Sequence, residues 1–153
     1  FSASALRFAS EYAEIDRSQV EGLVSVGPGP LSNYSIHQIE PIVALMGPDV
    51  GRVLYTGNEE HPALTLEYRD GRRAHFSHHG WDCPFAMTID LKGGKTRRVE
   101  VQSDYFGLFV QEMADFFLGA EPKVSHKDTV AVIAVREAAI RAAQQPGHWT
   151  EIG

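Results

Sequence analysis

The sequence predicts an α+β domain, a sheet of short strands with helices gathered from before and after it. Three observations carry that expectation. Residues 51–102 alternate apolar and polar side chains and are cut at short intervals by turn formers. The segments on either side carry apolar residues at helical spacing. At 153 residues the chain is one domain long and needs no disulfide or metal to fold.

From the start, Leu6, Phe8, Tyr12 and Ile15 recur at mixed spacing, so residues 2–16 read as a strand end followed by a short helix. Leu23-Val24-Ser25-Val26 reads as a strand, stopped by Gly27-Pro28-Gly29-Pro30. Ile36, Ile39, Val43 and Met46 fall on one helical face, and Gly47-Pro48 ends that helix. Pro41 lies inside it. A proline is tolerated in the first turn, where its missing N–H has no intrahelical partner, so the helix is expected to start near His37.

Strands are expected at 52–56, 63–68, 73–77, 85–91 and 97–102, with Asp70-Gly71 and Gly93-Gly94 as hairpin turns. Consecutive strands joined this tightly make an antiparallel meander. Phe106, Phe109, Val110, Met113 and Phe117 define a wide apolar stripe on a helix over 104–118, closed by Gly119. A last helix runs from a Ser125-x-x-Asp128 capping box to Gln144, with Val130, Ile133, Ala134 and Ala138 on one face. Residues 148–152 read as a short final strand. No linker, repeat or low-complexity segment divides residues 1–153, which read as a single domain.

Composition narrows the partners. The formal charge is −6, without a basic tract longer than two residues, which argues against nucleic acid and anionic membrane. No apolar run approaches the roughly 18 residues of a membrane span. Cys83 is the one cysteine, so no intrachain disulfide can form, and a cytoplasmic location is expected. The chain opens at Phe1 without an initiator Met, which fits removal of an upstream part and equally fits trimming of the Met alone.

Candidate chemistry concentrates in Asn33-Tyr34-Ser35-Ile36-His37-Gln38-Ile39-Glu40. At a helix N-terminus the dipole would hold the His37 imidazole neutral, which suits a general base. Asn33, four residues earlier, would orient it. The plainer alternative is that His37 serves capping and packing. Gly27-Pro28-Gly29-Pro30 is read as a rigid turn, because its prolines lack the N–H groups that cradle phosphates. His75, His78, His79, Asp82 and Cys83 crowd into nine residues, but alternation turns His78 away from the other two histidines. They are read as a sheet edge or pocket rim, with no metal expected. Trp81 is read as a partly buried anchor or as a stacking surface for a sugar-like ring. Tyr68 and Arg73 flank a hairpin turn and are read as surface.

The stretch from Asn33 to Glu40, followed by Leu45-Met46-Gly47, resembles the D-x-G-I-H-x-I-(D/E)…L-x-G motif. That motif marks the C-terminal domain of the glucose–fructose oxidoreductase, inositol dehydrogenase and MocA family. Leu6-Arg7-Phe8, the segment 105–117, and Pro122 with 129–139 are similar to flanking family elements, so the resemblance spans nearly the whole chain. It implies an open-faced, mostly antiparallel sheet with helices on one side. Such a fold is akin to the C-terminal domains of dihydrodipicolinate reductase and glyceraldehyde-3-phosphate dehydrogenase.

The resemblance further implies an NAD- or NADP-dependent oxidoreductase acting on a sugar, cyclitol or related polyol. The nucleotide would sit in an N-terminal Rossmann domain that these residues lack, so no cofactor is expected on this chain alone, which would be inactive. His37 falls where the family's substrate-facing histidine stands, as general base or hydrogen-bond partner. Asn33 falls where many members carry aspartate, and an amide holds no negative charge. Tyr34, Trp81 and His79 are expected to bind substrate, and the open sheet face to join subunits. The other reading is a non-catalytic binding or dimerisation module that keeps the fold without the chemistry.

Overall fold

The computed structural model describes residues 3–153. Seven strands form one sheet: β1 (Val20–Pro28), β2 (Val50–Tyr55), β3 (Ala63–Tyr68), β4 (Arg73–His79), β5 (Ala86–Leu91), β6 (Lys95–Glu100) and β7 (Trp149–Glu151). Their spatial order is β6-β5-β1-β4-β3-β2-β7. Helices α2 (Leu31–Met46) and α4 (His126–Ala143) pack side by side on one face. The short α1 (Ser10–Ala13) and the longer α3 (Tyr105–Phe117) lie near the chain's entry segment.

The sheet is mostly antiparallel, with one departure from a simple meander. β1 is inserted between β4 and β5, parallel to the first and antiparallel to the second. The connection 80–85 therefore steps over the end of β1. Six residues reach up to about 20 Å, ample for crossing two strand spacings of about 4.8 Å each. This crossing lays Trp81 and Phe85 beside the start of α2.

The start of the chain differs from the strand end expected there. Residues Ala5–Phe8 form a 3-10 turn, followed by α1, and the first two residues lie outside those described. Arg7 is buried in this turn, paired with Glu40 of α2 at 3.1 Å and with Asp128 of α4.

α2 also departs from expectation. It begins at Leu31, and Pro41 sits in its interior, where the missing N–H leaves the His37 carbonyl without its usual donor. An interior proline costs about 3 kcal/mol. Ile39, Ile42, Val43, Leu45 and Met46 are all nearly fully buried, each contributing about 1.5–3 kcal/mol. Packing wins over the break.

Alternation along each strand sends one row to the helices and the other to the open face. Leu64, Leu66 and Tyr68 of β3 are buried beneath the helices with Ala74, Phe76 and His78 of β4. Tyr68, read from the sequence as surface, is thus a core residue, because it continues the inward row of its strand up to the turn. Arg73 is exposed as expected and pairs with Glu67. Val24 and His75 stand on the opposite, uncovered face.

The capping box forms as read, with Ser125 Oγ accepting from the Asp128 N–H at 3.0 Å. The wide stripe of α3 is only partly used. Phe109 packs on Phe8 with ring centroids 5.7 Å apart, whereas Phe106 and Phe117 remain exposed.

Gln38 couples α2 to the sheet. Its side chain is fully buried, accepts from Ser25 Oγ at 2.7 Å and donates to the Ser77 carbonyl at 3.0 Å. It thereby clips the helix to β1 and β4, the parallel pair. Gln38→Leu should lower stability by about 1–3 kcal/mol in urea unfolding, the cost of the polar groups it strands. A loss below about 0.5 kcal/mol would show that the clip is dispensable.

Candidate functional site

His37 stands in the second turn of α2, one residue before the Gln38 anchor, against Ser4 of the entry segment and the Phe85 ring. Its Nδ1 lies 2.6 Å from Ser4 Oγ. Ser4 is itself buried, and its N–H donates to Glu40 Oε1 at 3.2 Å. Glu40 pairs with Arg7, which reaches Asp128. A continuous polar chain therefore runs from the imidazole to the base of α4. Charge within it is balanced locally: burial raises the Glu40 pKa, and the Arg7 guanidinium opposes that rise.

Aromatic rings enclose the imidazole on its other sides. Tyr34 meets it edge-on with centroids 5.1 Å apart, and Phe85 lies 6.1 Å away. Trp81 in turn meets Tyr34 edge-on at 4.9 Å. This half-buried setting lowers the His37 pKa, and burial is the cause. Burial thus favours the neutral ring, and the helix dipole expected to do so has faded at His37, which is beyond the first turn.

The sequence-derived residues are not all brought together. Tyr34 and Trp81 gather around His37. Asn33 lies exposed one turn before His37 on the same helix side, and the partner of the imidazole Nδ1 is Ser4 instead. His79 is exposed; its Nε2 lies 2.9 Å from Ser77 Oγ, and its carbonyl accepts from Gly29 N–H at 3.1 Å. Ser4 and Phe85 escaped the sequence reading because they lie far from His37 along the chain. Only the fold joins them.

The neighbouring histidines divide between faces. His75 is on the open face with Nδ1 2.9 Å from Thr65 Oγ1, while His78 is buried beneath the helices. Among the described residues no three of His, Cys, Asp and Glu group as metal ligands. The glycine-rich turn is packed against two aromatic rings. A Cβ on Gly27 would lie 2.7 Å from the Phe85 ring, and Gly29, at φ +80°, has Tyr34 packed against it. No helix among the described residues is long and apolar enough to cross a membrane.

No protein-family model matches the sequence, and no curated protein matches it significantly. Solved structures do match. A scyllo-inositol dehydrogenase from Lactobacillus casei superposes with TM-score 0.75 at 13% identity, covering 97% of this chain and 62% of that one. For myo-inositol 2-dehydrogenase from Lactobacillus plantarum the values are 0.69, 16%, 98% and 62%. The WlbA dehydrogenase from Bordetella pertussis, solved with NADH and UDP-GlcNAcA, gives 0.71, 14%, 98% and 60%.

The fold is that of the C-terminal domain of the inositol dehydrogenase and MocA type of oxidoreductase. The chain spans about three fifths of the length of the dehydrogenases it matches. Within this fold, the His37 imidazole has a defined chemical capacity. If Nδ1–H donates to Ser4 Oγ, Nε2 keeps its lone pair and can accept a hydroxyl proton. We predict that the Nδ1–H tautomer dominates in nitrogen NMR of the neutral protein. Ser4→Ala should shift the ring toward Nε2–H without unfolding the domain. An unchanged tautomer ratio would exclude Ser4 as the orienting group.

Proposed function

We propose that this chain is the substrate-side domain of an NAD- or NADP-dependent oxidoreductase acting on a sugar, cyclitol or related polyol. The observation that carries the reading is His37: a half-buried imidazole whose burial favours the neutral form, held at Nδ1 by Ser4 and lined by Tyr34 and Phe85. Oxidation of a carbinol releases a hydride from carbon and a proton from oxygen. The nicotinamide, held by an N-terminal nucleotide-binding domain, supplies the hydride acceptor. The residues of this chain attend to the substrate.

His37 Nε2 accepts the hydroxyl proton or a hydrogen bond from that hydroxyl. Tyr34 and Trp81 form an aromatic wall suited to the C–H face of a polyol ring, and Asn33 offers an amide to its hydroxyls. His79 borders the same region from the end of β4. Without its nucleotide partner the chain is inactive. The uncovered sheet face, with Val24 nearly half exposed, joins copies of the protein. The protein resides in the cytoplasm, where the lone Cys83 stays reduced.

One observation favours a non-catalytic binding or dimerisation module instead: position 33 carries an exposed, uncharged amide. The two readings part on one assay of the intact protein with NAD+ and NADP+ over a panel of cyclitols and sugars. Turnover is expected, and His37→Ala should lower kcat/KM by about 10²–10⁴-fold. Equal turnover in the variant would remove His37 from the chemistry. An intact protein that binds NADH but oxidises nothing in the panel would favour the binding module.

A further inference from the structure

α3 has two apolar faces, and the described residues cover one of them. Tyr105, Phe109, Glu112 and Phe116 recur at intervals of four, three and four residues and are buried or half-buried. This row lies toward the entry turn, where Phe109 meets Phe8. A quarter turn round the helix, Phe106, Val110, Met113 and Phe117 recur at the same intervals. At about 100° per residue they fall within about 60° of one another.

That second row faces outward. Phe106 is 62% exposed, Phe117 82%, and Leu118, just past the helix end, 87%. Gly107 and Ala114 flank the row on the side away from Phe109, so the apolar surface has no polar margin there. Charge resumes only with Asp115, half a turn away. Apolar side chains exposed singly are ordinary, but a contiguous row marks a surface that something covers. α3 also has little else to hold it. It packs chiefly on the entry turn Ala5–Phe8, and a lone helix of 13 residues is marginal in water.

The place of α3 in the fold identifies the cover. The entry segment lies at the β6 edge of the sheet, where Glu14 pairs with Arg97. β7 lies at the opposite edge. Any chain joined ahead of residue 3 therefore arrives beside α3, and any chain joined after residue 153 leaves from the far edge. About two fifths of each matched dehydrogenase has no counterpart in this chain. Tethering then decides between a preceding domain and a second copy. A domain on a short linker meets α3 at an effective concentration in the millimolar range. A second copy arrives only at its solution concentration, and both copies carry a formal charge of −6.

We propose that the outward row of α3 is the seat of the nucleotide-binding domain, which covers Phe106, Val110, Met113 and Phe117. The inference rests on the reading of this chain as the substrate-side domain. The seat adjoins the segment whose Ser4 meets His37 and whose Arg7 meets Glu40, so the domain contact also braces the support of the imidazole.

Hydroxyl-radical labelling of Met113 and Leu118 in the intact protein, and in its Phe106→Asp, Phe117→Asp double variant, tests this together with light scattering and small-angle X-ray scattering. Both residues should label at least fivefold more slowly in the wild type than in the double variant. The variant should keep its mass, and its NADH affinity within twofold, while its radius of gyration rises as the domains part. Phe117→Leu, which keeps the face apolar, should behave as the wild type.

Equal labelling in wild type and double variant would mean that α3 faces solvent, and the inference falls. A double variant whose mass halves would mean that a second copy covers α3, and the inference falls again. Opening in Phe117→Leu would mark a folding defect and overturn it as well. In these three cases continued NADH binding leaves the substrate-side reading standing. An intact protein that binds no NADH removes that reading and the inference with it.

Discussion

The buried Gln38 amide is the constraint on which the rest of the domain depends. β1 and β4 are the one parallel pair in an otherwise antiparallel sheet, and Gln38 binds a group on each. A side chain fixed to two strands sets both the height and the rotation of its helix. At about 100° per residue, fixing position 38 fixes where 34 and 37 point. They point toward the 80–85 crossing, which delivers Trp81 and Phe85.

A second set of buried polar contacts holds the His37 ring. Arg7 and Glu40 are almost fully buried. Buried ion pairs repay their desolvation only when hydrogen bonds complete them. Here Glu40 also accepts from Ser4, and Arg7 also reaches Asp128 at the start of α4. The arrangement joins the entry segment, α2 and α4 at one point, and places Ser4 against His37. The imidazole is thereby fixed from behind while Tyr34 and Phe85 fix its flanks. In the proposed role as a base, a ring held this firmly would avoid the entropy loss of orienting during reaction.

Much of this was legible in the sequence, and the failures have physical causes. β3 matches its alternating segment residue for residue, because local turn signals bound it on both sides. The Ser125 cap was equally local. Strand order was not: the insertion of β1 between β4 and β5 is a matter of long-range pairing, which alternation does not encode. The helix start was misplaced because a proline rule weighs one residue, whereas five buried apolar side chains on α2 outweigh it. Tyr68 was judged by its nearness to a turn, and strand parity decided otherwise. Of the site, His37, Tyr34 and Trp81 were legible from residue type and motif. Ser4 was not, since it approaches His37 across 33 positions with no pattern to announce it.

The central claim is that this chain is the substrate half of a two-part oxidoreductase and carries no nucleotide site of its own. Calorimetric titration with NADH, run on this chain and on the intact protein, tests it directly. The account predicts no binding to the chain at millimolar cofactor and saturable binding to the intact protein. Saturable micromolar binding to the chain alone would contradict it.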